Sequence, residues 1–166
     1  PASNIGIIST ETDPPYSRPP LTKSLWKGDS VDTIWRKTDE EIVTFHLGRT
    51  VVALDVDRKQ VTDSKGEIYT WEKLLLATGG SSRTLPFGGD QIIYYKTLSD
   101  YKRLRALTEK GKRFAVIGGG FIGSEIGAAL ALNKKEVVMI FPGKTIGDRV
   151  FPNDLAQFVS NFYQQK

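Results

Sequence analysis

The stretch that decides the fold is residues 112–125, which read KRFAVIGGGFIGSE. Its first half is a short apolar run, typical of a buried strand, and its second half holds a G-x-G-x-x-G pattern that begins at Gly118. A helical segment continues to about Leu132, and another apolar run covers residues 136–141. Strand, glycine loop, helix and strand in this order predict a nucleotide-binding βαβ unit over residues 113–141.

Each glycine of the pattern has its own physical role. Gly118 permits the tight turn, Gly120 lets a pyrophosphate approach the backbone without a β-carbon in the way, and Gly123 lets the helix lie close to the strand. The first amides of the helix then point at the phosphates. A glycine turn without a ligand is the alternative. The predicted buried stripe of this helix is Ile122, Ile126, Ala129 and Leu130.

One part of the dinucleotide pattern is missing. An acidic residue that holds the ribose 2′-hydroxyl usually stands about 20 residues after the loop, at the end of the second strand. Gly143 occupies that place, and the cations Lys144 and Arg149 lie close behind it. NADH and NADPH therefore both remain open as the nucleotide, with Lys144 and Arg149 as candidate ligands of a 2′-phosphate.

The first 78 residues have a strand-rich pattern. Residues 4–9 predict a buried parallel strand, and the proline-rich residues 13–20 predict an ordered loop, followed by a short helix near Thr22 to Trp26. Alternating residues and turn signals between Val43 and Thr78 predict an antiparallel meander. Its last piece, Lys73 to Thr78, is an apolar run that predicts a further buried strand.

Two more helices are predicted. Thr97 and Asp100 form a capping-box-like start for a helix over residues 97–110, and Gly111 ends it. A last helix is predicted over residues 153–165. The apolar stripes are Leu98, Tyr101, Leu104 and Leu107 on the first, and Leu155, Phe158, Val159 and Phe162 on the second. Since the first strand and the last helix lack expected neighbours, we expect the chain to be part of a larger fold.

Composition excludes several classes of chemistry. The 166 residues include no cysteine and one histidine, so thiol chemistry, disulfides and a dedicated zinc site are not expected. His46 is interpreted as a residue without a chemical role, and no apolar stretch is long enough for a membrane span. The net charge of +4 includes a basic cluster between Lys102 and Arg113. This cluster is typical of a solvated helix face, with an anion- or DNA-binding face as the alternative.

Three motifs in order carry a family resemblance. They are residues 15–26 (PYSRPPLTKSLW), residues 76–80 (LATGG) and residues 118–125 (GGGFIGSE). In this order and spacing the chain resembles the FAD-dependent pyridine nucleotide-disulfide oxidoreductases, and within them the apoptosis-inducing-factor and ferredoxin-reductase types. The resemblance covers essentially the whole chain, but only the middle of such a protein.

The resemblance implies an α/β fold. A portion of a Rossmann-like FAD-binding domain, residues 1–95, would precede a portion of a Rossmann βαβ NAD(P)-binding domain, residues 96–166. The first FAD glycine loop, the late flavin-binding segment and the C-terminal domain would be absent.

The resemblance also implies site residues. Lys23 and Glu125 would pair near the nicotinamide as the catalytic residues. Thr10 departs from the family's usual acid at the FAD ribose, which makes Glu11 the stronger candidate, and Lys96 stands where an arginine is frequent. The cofactor-binding residues that the resemblance implies are Thr10, Glu11, Arg18, Lys23, Val51, Ala77, Thr78, Gly79, Lys96, Gly119, Gly120, Phe121 and Ile122. The glycine pattern and the loop after the second strand add Gly118, Gly123 and Lys144.

The implied function is an NAD(P)H-dependent flavoprotein oxidoreductase that transfers hydride from NAD(P)H to FAD. The absence of cysteine disfavours the redox-disulfide branch of the superfamily. A DNA-binding apoptotic effector, through the basic cluster with Lys73 and Arg83, and an inactive scaffold are the alternatives. A mitochondrial location and a homodimer in the complete protein are further expectations from the resemblance.

Overall fold

The computed structural model describes residues 5–38 and 42–166, and Asn4 of the first predicted strand lies outside these ranges. The chain divides into a first unit, residues 1–17 and 35–81, and a second unit, residues 18–34 and 82–166. Strands and helices occur as the α/β class predicts. The strands are β1 (Ile5–Ser9), β2 (Val43–Leu47), β3 (Val51–Asp55), β4 (Gln60–Asp63), β5 (Ile68–Thr70), β6 (Arg113–Ile117) and β7 (Glu136–Ile140), and the α-helices are α1 (Leu98–Lys110), α2 (Phe121–Leu132) and α3 (Asn153–Gln164).

The first unit contains two small sheets. Strands β1 and β2 pair in parallel, from Ile5 opposite Val43 to Ser9 opposite Leu47. Strands β3, β4 and β5 form the predicted antiparallel meander, with turns at residues 56–59 and 64–67. The prediction that β1 is buried is wrong, because its side chains are exposed or half-buried. A parallel strand is buried only where layers cover both of its faces, and β1 has one strand neighbour among the described residues.

A buried carboxylate holds the meander to the preceding loop. Asp63 is 1% exposed, and its Oδ2 accepts hydrogen bonds from Arg49 Nη1 at 2.7 Å and from the Tyr69 hydroxyl at 2.9 Å. Its Oδ1 accepts from the backbone N–H groups of Lys65 and Glu67. The hydrogen bond from Arg49 and the others hold the pKa of Asp63 well below its usual range, although burial acts in the opposite direction.

The predicted strand at Lys73 to Thr78 is not formed. Residues 74–85 have no regular secondary structure, and Leu75 and Leu76 are 86% and 66% exposed. A strand needs a hydrogen-bonded neighbour, and none of the described strands pairs with this segment. Apolar composition alone therefore did not produce a strand here.

The second unit is built around three short 3₁₀ helices that follow the proline-rich loop. They cover Pro19–Thr22, Ser24–Lys27 and Val31–Ile34, where the sequence predicted one short helix. Their apolar side chains form a core with α1 and α2. The most deeply buried members of this core are Leu21, Leu25, Ile34, Leu98 and Leu130.

Helix α1 begins with the predicted capping box. The Thr97 hydroxyl accepts from the Asp100 backbone N–H, and the Asp100 carboxylate accepts from the Thr97 backbone N–H. The predicted stripe is correct for Leu98, Tyr101 and Leu104 but wrong for Leu107, which is 49% exposed. Thr108, one position further round the helix, is buried instead and donates a hydrogen bond to the Arg105 carbonyl.

The predicted βαβ unit is confirmed. Strands β6 and β7 pair in parallel, from Arg113 opposite Glu136 to Ile117 opposite Ile140, and α2 connects them. Asn133 caps the carboxyl end of α2, with its N–H donating to the Ala129 carbonyl. The stripe prediction fails at Ile122, which is 52% exposed in the first turn of the helix.

Helix α3 buries small residues rather than its predicted apolar stripe. Ala156 is fully buried, and the Ser160 hydroxyl donates to the Ala156 carbonyl and accepts from the Ile146 N–H. Leu155, Phe158 and Phe162 are 43%, 67% and 48% exposed. These three members of the predicted stripe are thus left largely exposed. Among the described residues, no helix combines the length and apolarity that crossing a bilayer requires.

Candidate nucleotide-binding site

The glycine loop has the geometry that its spacing predicts. Gly118 has φ +124°, a conformation that side-chain-bearing residues rarely adopt, and its N–H donates to the Ile140 carbonyl at 2.8 Å. A β-carbon on Gly123 would collide with the carbonyl group of Gly118. A β-carbon on Gly120 would have no atom within 4 Å. Gly118 and Gly123 are therefore required by the protein's own backbone, whereas a β-carbon on Gly120 would point into open space.

The open space lies at the amino end of α2. This helix begins at Phe121 and has no side-chain cap on its first amides. Unsatisfied N–H groups and the positive end of the helix dipole attract an anion at such a position. Phe121 and Ile122, both predicted to line the nucleotide, are 59% and 52% exposed beside this end. The open space and the uncapped amides make the loop and the start of α2 candidates for contact with a diphosphate.

A charged cluster joins the end of the first 3₁₀ turn, at Thr22 and Lys23, to Glu125 of helix α2. Lys23 Nζ lies 2.8 Å from Glu125 Oε1, so the structure brings together the two residues proposed as catalytic. The Thr22 hydroxyl donates to Glu125 Oε2 at 2.5 Å. Burial acts to raise the pKa of Glu125, but the hydrogen bonds from Lys23 and Thr22 and the charge of Lys23 hold it below its usual value. Glu125 is therefore an anion at neutral pH.

Thr22 is a member of this cluster that sequence reasoning missed. It stands beside Lys23, but nothing in a lone threonine on a loop predicts a contact 103 residues away. The 3₁₀ turn over Pro19–Thr22 orients the two side chains toward α2. The two prolines that open this turn fix its φ angles, which is why the sequence folds tightly here.

Buried aromatic residues hold the proline-rich segment in place. The Leu21 carbonyl accepts from Trp26 Nε1 at 2.8 Å and from the Tyr95 hydroxyl at 2.5 Å. Burial raises the pKa of Tyr95, so this hydroxyl stays a donor. The Trp26 ring meets the Tyr101 ring edge-on, with centroids 5.6 Å apart. Lys23 thus lies between Leu21 and Trp26, two residues whose positions are set by buried contacts.

Arg18 and Lys96 also come together. Arg18 Nη1 donates to the Lys96 carbonyl at 2.9 Å, and the Lys96 N–H donates to Asp100 Oδ2 at the start of α1. Both side chains are exposed. Lys144, also exposed, lines an open groove of about 870 Å³ beside β7 and α3. None of the described residues of the glycine loop, 118–123, lines that groove.

The other candidate residues belong to the first unit. Glu11 follows β1 and accepts from the Tyr16 hydroxyl at 2.5 Å, and Thr10 shares a hydrogen bond with Thr50. Val51 opens β3 and is 43% exposed. Residues 77–79 are exposed and irregular, with Gly79 at φ +65°. These residues remain candidates for contact with FAD.

Known proteins are similar to this chain in sequence. The profile of the pyridine nucleotide-disulphide oxidoreductase family matches residues 2–166. Apoptosis-inducing factor 1, mitochondrial, of Dictyostelium discoideum is 32% identical over 185 residues, which cover 95% of this chain and 35% of the relative. Rubredoxin-NAD(+) reductase of Pseudomonas putida is 32% identical over 163 residues, which cover 93% of this chain and 42% of the relative.

Solved structures agree with these relatives. The chain superposes on a chain of the covalent putidaredoxin reductase–putidaredoxin complex with a TM-score of 0.85 and 26% identity, covering 98% of this chain and 42% of that one. The chain therefore spans about two-fifths of the length of the proteins it matches. The glycine loop, the Lys23–Glu125 pair and these likenesses lead to one conclusion: the chain belongs to the pyridine nucleotide-disulphide oxidoreductase family, whose cofactors are FAD and NAD(P)H.

Proposed function

We propose that this chain is the part of an FAD-dependent NAD(P)H oxidoreductase that binds the nicotinamide dinucleotide and places its reactive ring. Residues 96–166 would serve NAD(P)H, and residues 1–95 would contribute to the FAD side. The observation that carries the proposal is the ion pair between Lys23 and Glu125, 2.8 Å long, next to an open glycine loop. When bound, NAD(P)H supplies a hydride that FAD accepts, so that the nicotinamide is oxidised and the flavin reduced.

The residues of the glycine loop fit a dinucleotide. Open space at Gly120 allows a pyrophosphate to reach the backbone, and the uncapped amides of α2 can donate to it. The tight packing of Gly123 on Gly118 sets the distance between loop and helix. These features support residues 118–123 as the diphosphate cradle.

The proposed role of Lys23 is electrostatic positioning. Its side chain is 52% exposed, so the ammonium can contact a ligand while Glu125 holds it. Glu125 is 30% exposed and keeps its charge because Lys23 and Thr22 hydrogen-bond to it. A fixed cation beside a flavin stabilises the anionic reduced ring, and a fixed carboxylate keeps that cation from turning away. No nucleophile or general acid is needed in this scheme.

The test measures binding and hydride transfer separately. Calorimetric titration of the purified chain with NADH and NADPH should show saturable binding of at least one nucleotide. When the chain is mixed anaerobically with NADH and with FAD in excess over the chain, the visible flavin absorbance should fall. The rate of this fall should saturate as the NADH concentration is raised. Lys23→Met and Glu125→Gln should slow the bleaching, with nucleotide affinity changed much less. Lys27→Met, an exposed lysine on the next 3₁₀ turn, is the matched control.

Two results would contradict the proposal. One is the absence of saturable binding of either nucleotide to the folded chain. The other is flavin bleaching that responds to Lys27→Met as strongly as to Lys23→Met.

A narrower form of this proposal assigns the chain to the apoptosis-inducing-factor type within the family. Dictyostelium apoptosis-inducing factor and the Pseudomonas reductase are equally identical to the chain, at 32%. A mitochondrial location stays a prediction for the same reason, since one of these relatives is named mitochondrial and the other is bacterial. The homodimer and the inactive-scaffold alternative also stay predictions.

DNA binding through the basic cluster is the remaining alternative. Arg105 Nη1 donates to Asn133 Oδ1 at 2.9 Å and its guanidinium lies over the Trp26 ring, while Arg113 pairs with Glu136 at 2.9 Å. These intramolecular contacts compete with phosphate contacts and favour the reductase proposal. Titration of a labelled DNA duplex at several salt concentrations tests the alternative, which requires binding that falls steeply with salt.

A further inference from the structure

The loop after β7, residues 142–151, carries a carboxylate close to the position where the nucleotide pattern lacks its usual acid. Gly143 stands where dinucleotide-binding proteins usually carry the acid that holds the adenosine ribose. A glycine there leaves two ribose hydroxyls without an acceptor, unless another side chain of the loop takes the place. The structure identifies such a side chain five residues further on.

The carboxylate of Asp148 occupies the space that a side chain on Gly143 would take. A β-carbon built on Gly143 would overlap Oδ2 of Asp148 and lie 2.9 Å from Oδ1. A side chain at residue 143 would therefore have to displace the Asp148 carboxylate from this position. Asp148 is exposed, and among the residues that the structure describes its carboxylate has no hydrogen-bond or ion-pair partner. Its acceptor positions are available to a ligand.

The loop is fastened to the glycine loop and to α3, which defines the position of Asp148. The Gly147 N–H donates to the Gly119 carbonyl at 2.8 Å. Ile146 is 5% exposed, and its N–H donates to Ser160 Oγ at 2.8 Å. Gly147 has φ +71°, so the chain turns sharply just before Asp148. These two hydrogen bonds, from the two residues just before Asp148, hold the backbone of the turn beside the glycine loop.

The nearby cations are less well placed to take over the role. Lys144 lines the groove formed by β7, α2 and α3, and none of the described residues 118–123 shares that groove. Arg149 is exposed next to Asp148 and is the cation that a 2′-phosphate would have to reach. Such a phosphate would come close to the Asp148 carboxylate, and like charges at short range repel.

We propose that Asp148 replaces the missing acid at residue 143 as the acceptor for the adenosine ribose hydroxyls, and that the chain consequently prefers NADH to NADPH. The inference rests on the proposed function, because it assumes that residues 118–123 bind the pyrophosphate. It adds a specificity-determining residue outside the usual sequence position.

The experiment is a calorimetric titration of the 166-residue chain and its variants with NADH and with NADPH. Wild type should bind NADH more tightly. Asp148→Asn should weaken NADH binding about tenfold, since the hydrogen bonds lost are to a charged acceptor, and NADPH binding should be unchanged or stronger. Glu136→Gln is the matched control, because Glu136 begins β7 at the end opposite to the loop. That control should keep both affinities.

A double variant makes the test sharper. Asp148→Ala frees the volume beside residue 143, and Gly143→Glu in the same chain returns an acid to the usual place. The double variant should recover NADH preference that Asp148→Ala alone has lost. Recovery supports the shared-volume argument, and a failure to recover overturns it.

The remaining outcomes are also decisive. A wild-type preference for NADPH overturns the inference, and so does a ratio of NADH affinity to NADPH affinity that is the same in Asp148→Asn as in wild type. Either result is compatible with residues 118–123 as the nucleotide site. Wild type that binds neither nucleotide overturns the proposed site and this inference together.

Discussion

Replacing Gly120 by alanine separates ligand binding from folding. A β-carbon at this position would have no atom within 4 Å, and the backbone at φ −84° and ψ −170° is one that alanine adopts readily. Lower entropy of the unfolded chain stabilises such a variant by about 0.4–1 kcal/mol. Gly120 is also the N-cap of α2, where alanine is disfavoured relative to glycine, by about 0.5–1 kcal/mol. The two effects offset, so the free energy of unfolding should change by less than about 1 kcal/mol.

Nucleotide binding should respond very differently. The new methyl group would stand where the pyrophosphate approaches the backbone, and an overpacked contact costs about 1–3 kcal/mol. Affinity for NADH should therefore fall about tenfold or more. Urea denaturation followed by tryptophan fluorescence measures the first quantity, and calorimetric titration measures the second.

Gly123→Ala is the matched control, since it makes the same chemical change three residues away. Its β-carbon would meet the backbone carbonyl group of Gly118, with the carbonyl carbon 2.9 Å away. Backbone atoms move less easily than a side chain, so this variant should lose about 1–3 kcal/mol of stability. Wild-type affinity for NADH in Gly120→Ala would refute the assignment of the loop as a pyrophosphate cradle. A large loss of stability in Gly120→Ala would refute the claim that the space beside it is empty.

Three further predictions concern folding. The pKa of Asp63 is lowered in the folded chain, so its contribution to stability is complete above the unfolded pKa and is lost as pH falls through the folded pKa. The urea midpoint of Asp63→Asn should therefore fall less than that of wild type as the pH is lowered. The same acid dependence in both proteins would contradict this. Thr97→Ala removes one half of the capping box of α1 and should lower the free energy of unfolding by about 1 kcal/mol, measured by urea denaturation, with no comparable loss expected from Ser99→Ala at the second helical position. Leu75→Asp should leave stability within about 0.5 kcal/mol of wild type because this leucine is 86% exposed, and a marked drop in melting temperature would show that the segment is buried in solution.

Local signals were sufficient to predict much of the fold. The capping box at Thr97, the turns of the meander and the βαβ unit all depend on residues near one another in sequence, where backbone preferences and side-chain caps act directly. Gly118 is predictable for the same reason, since only a glycine readily adopts its φ of +124°. The family resemblance added the pairing of Lys23 with Glu125, which spacing alone does not predict.

Burial was the feature that the sequence predicted least well. Leu75, Leu107 and Phe158 lie in apolar patterns but are 86%, 49% and 67% exposed. An apolar side chain is buried only if another element covers it, and the pattern along one segment contains no information about the partner. The same reason explains why the strand predicted over residues 73–78 does not form.

The sequence by itself determined the glycine loop and the elements on either side of it, because each follows from residue identity or short-range geometry. The tertiary structure alone decided which side chains meet across long sequence separations. Thr22 reaches Glu125 across 103 residues because the first 3₁₀ turn packs on α2. Asp148 is only five residues from Gly143, but local preferences do not set the course of the irregular loop that brings its carboxylate beside this glycine. Contacts of this kind depend on packing in three dimensions, and they are the contacts from which the proposed chemistry and nucleotide preference of this protein arise.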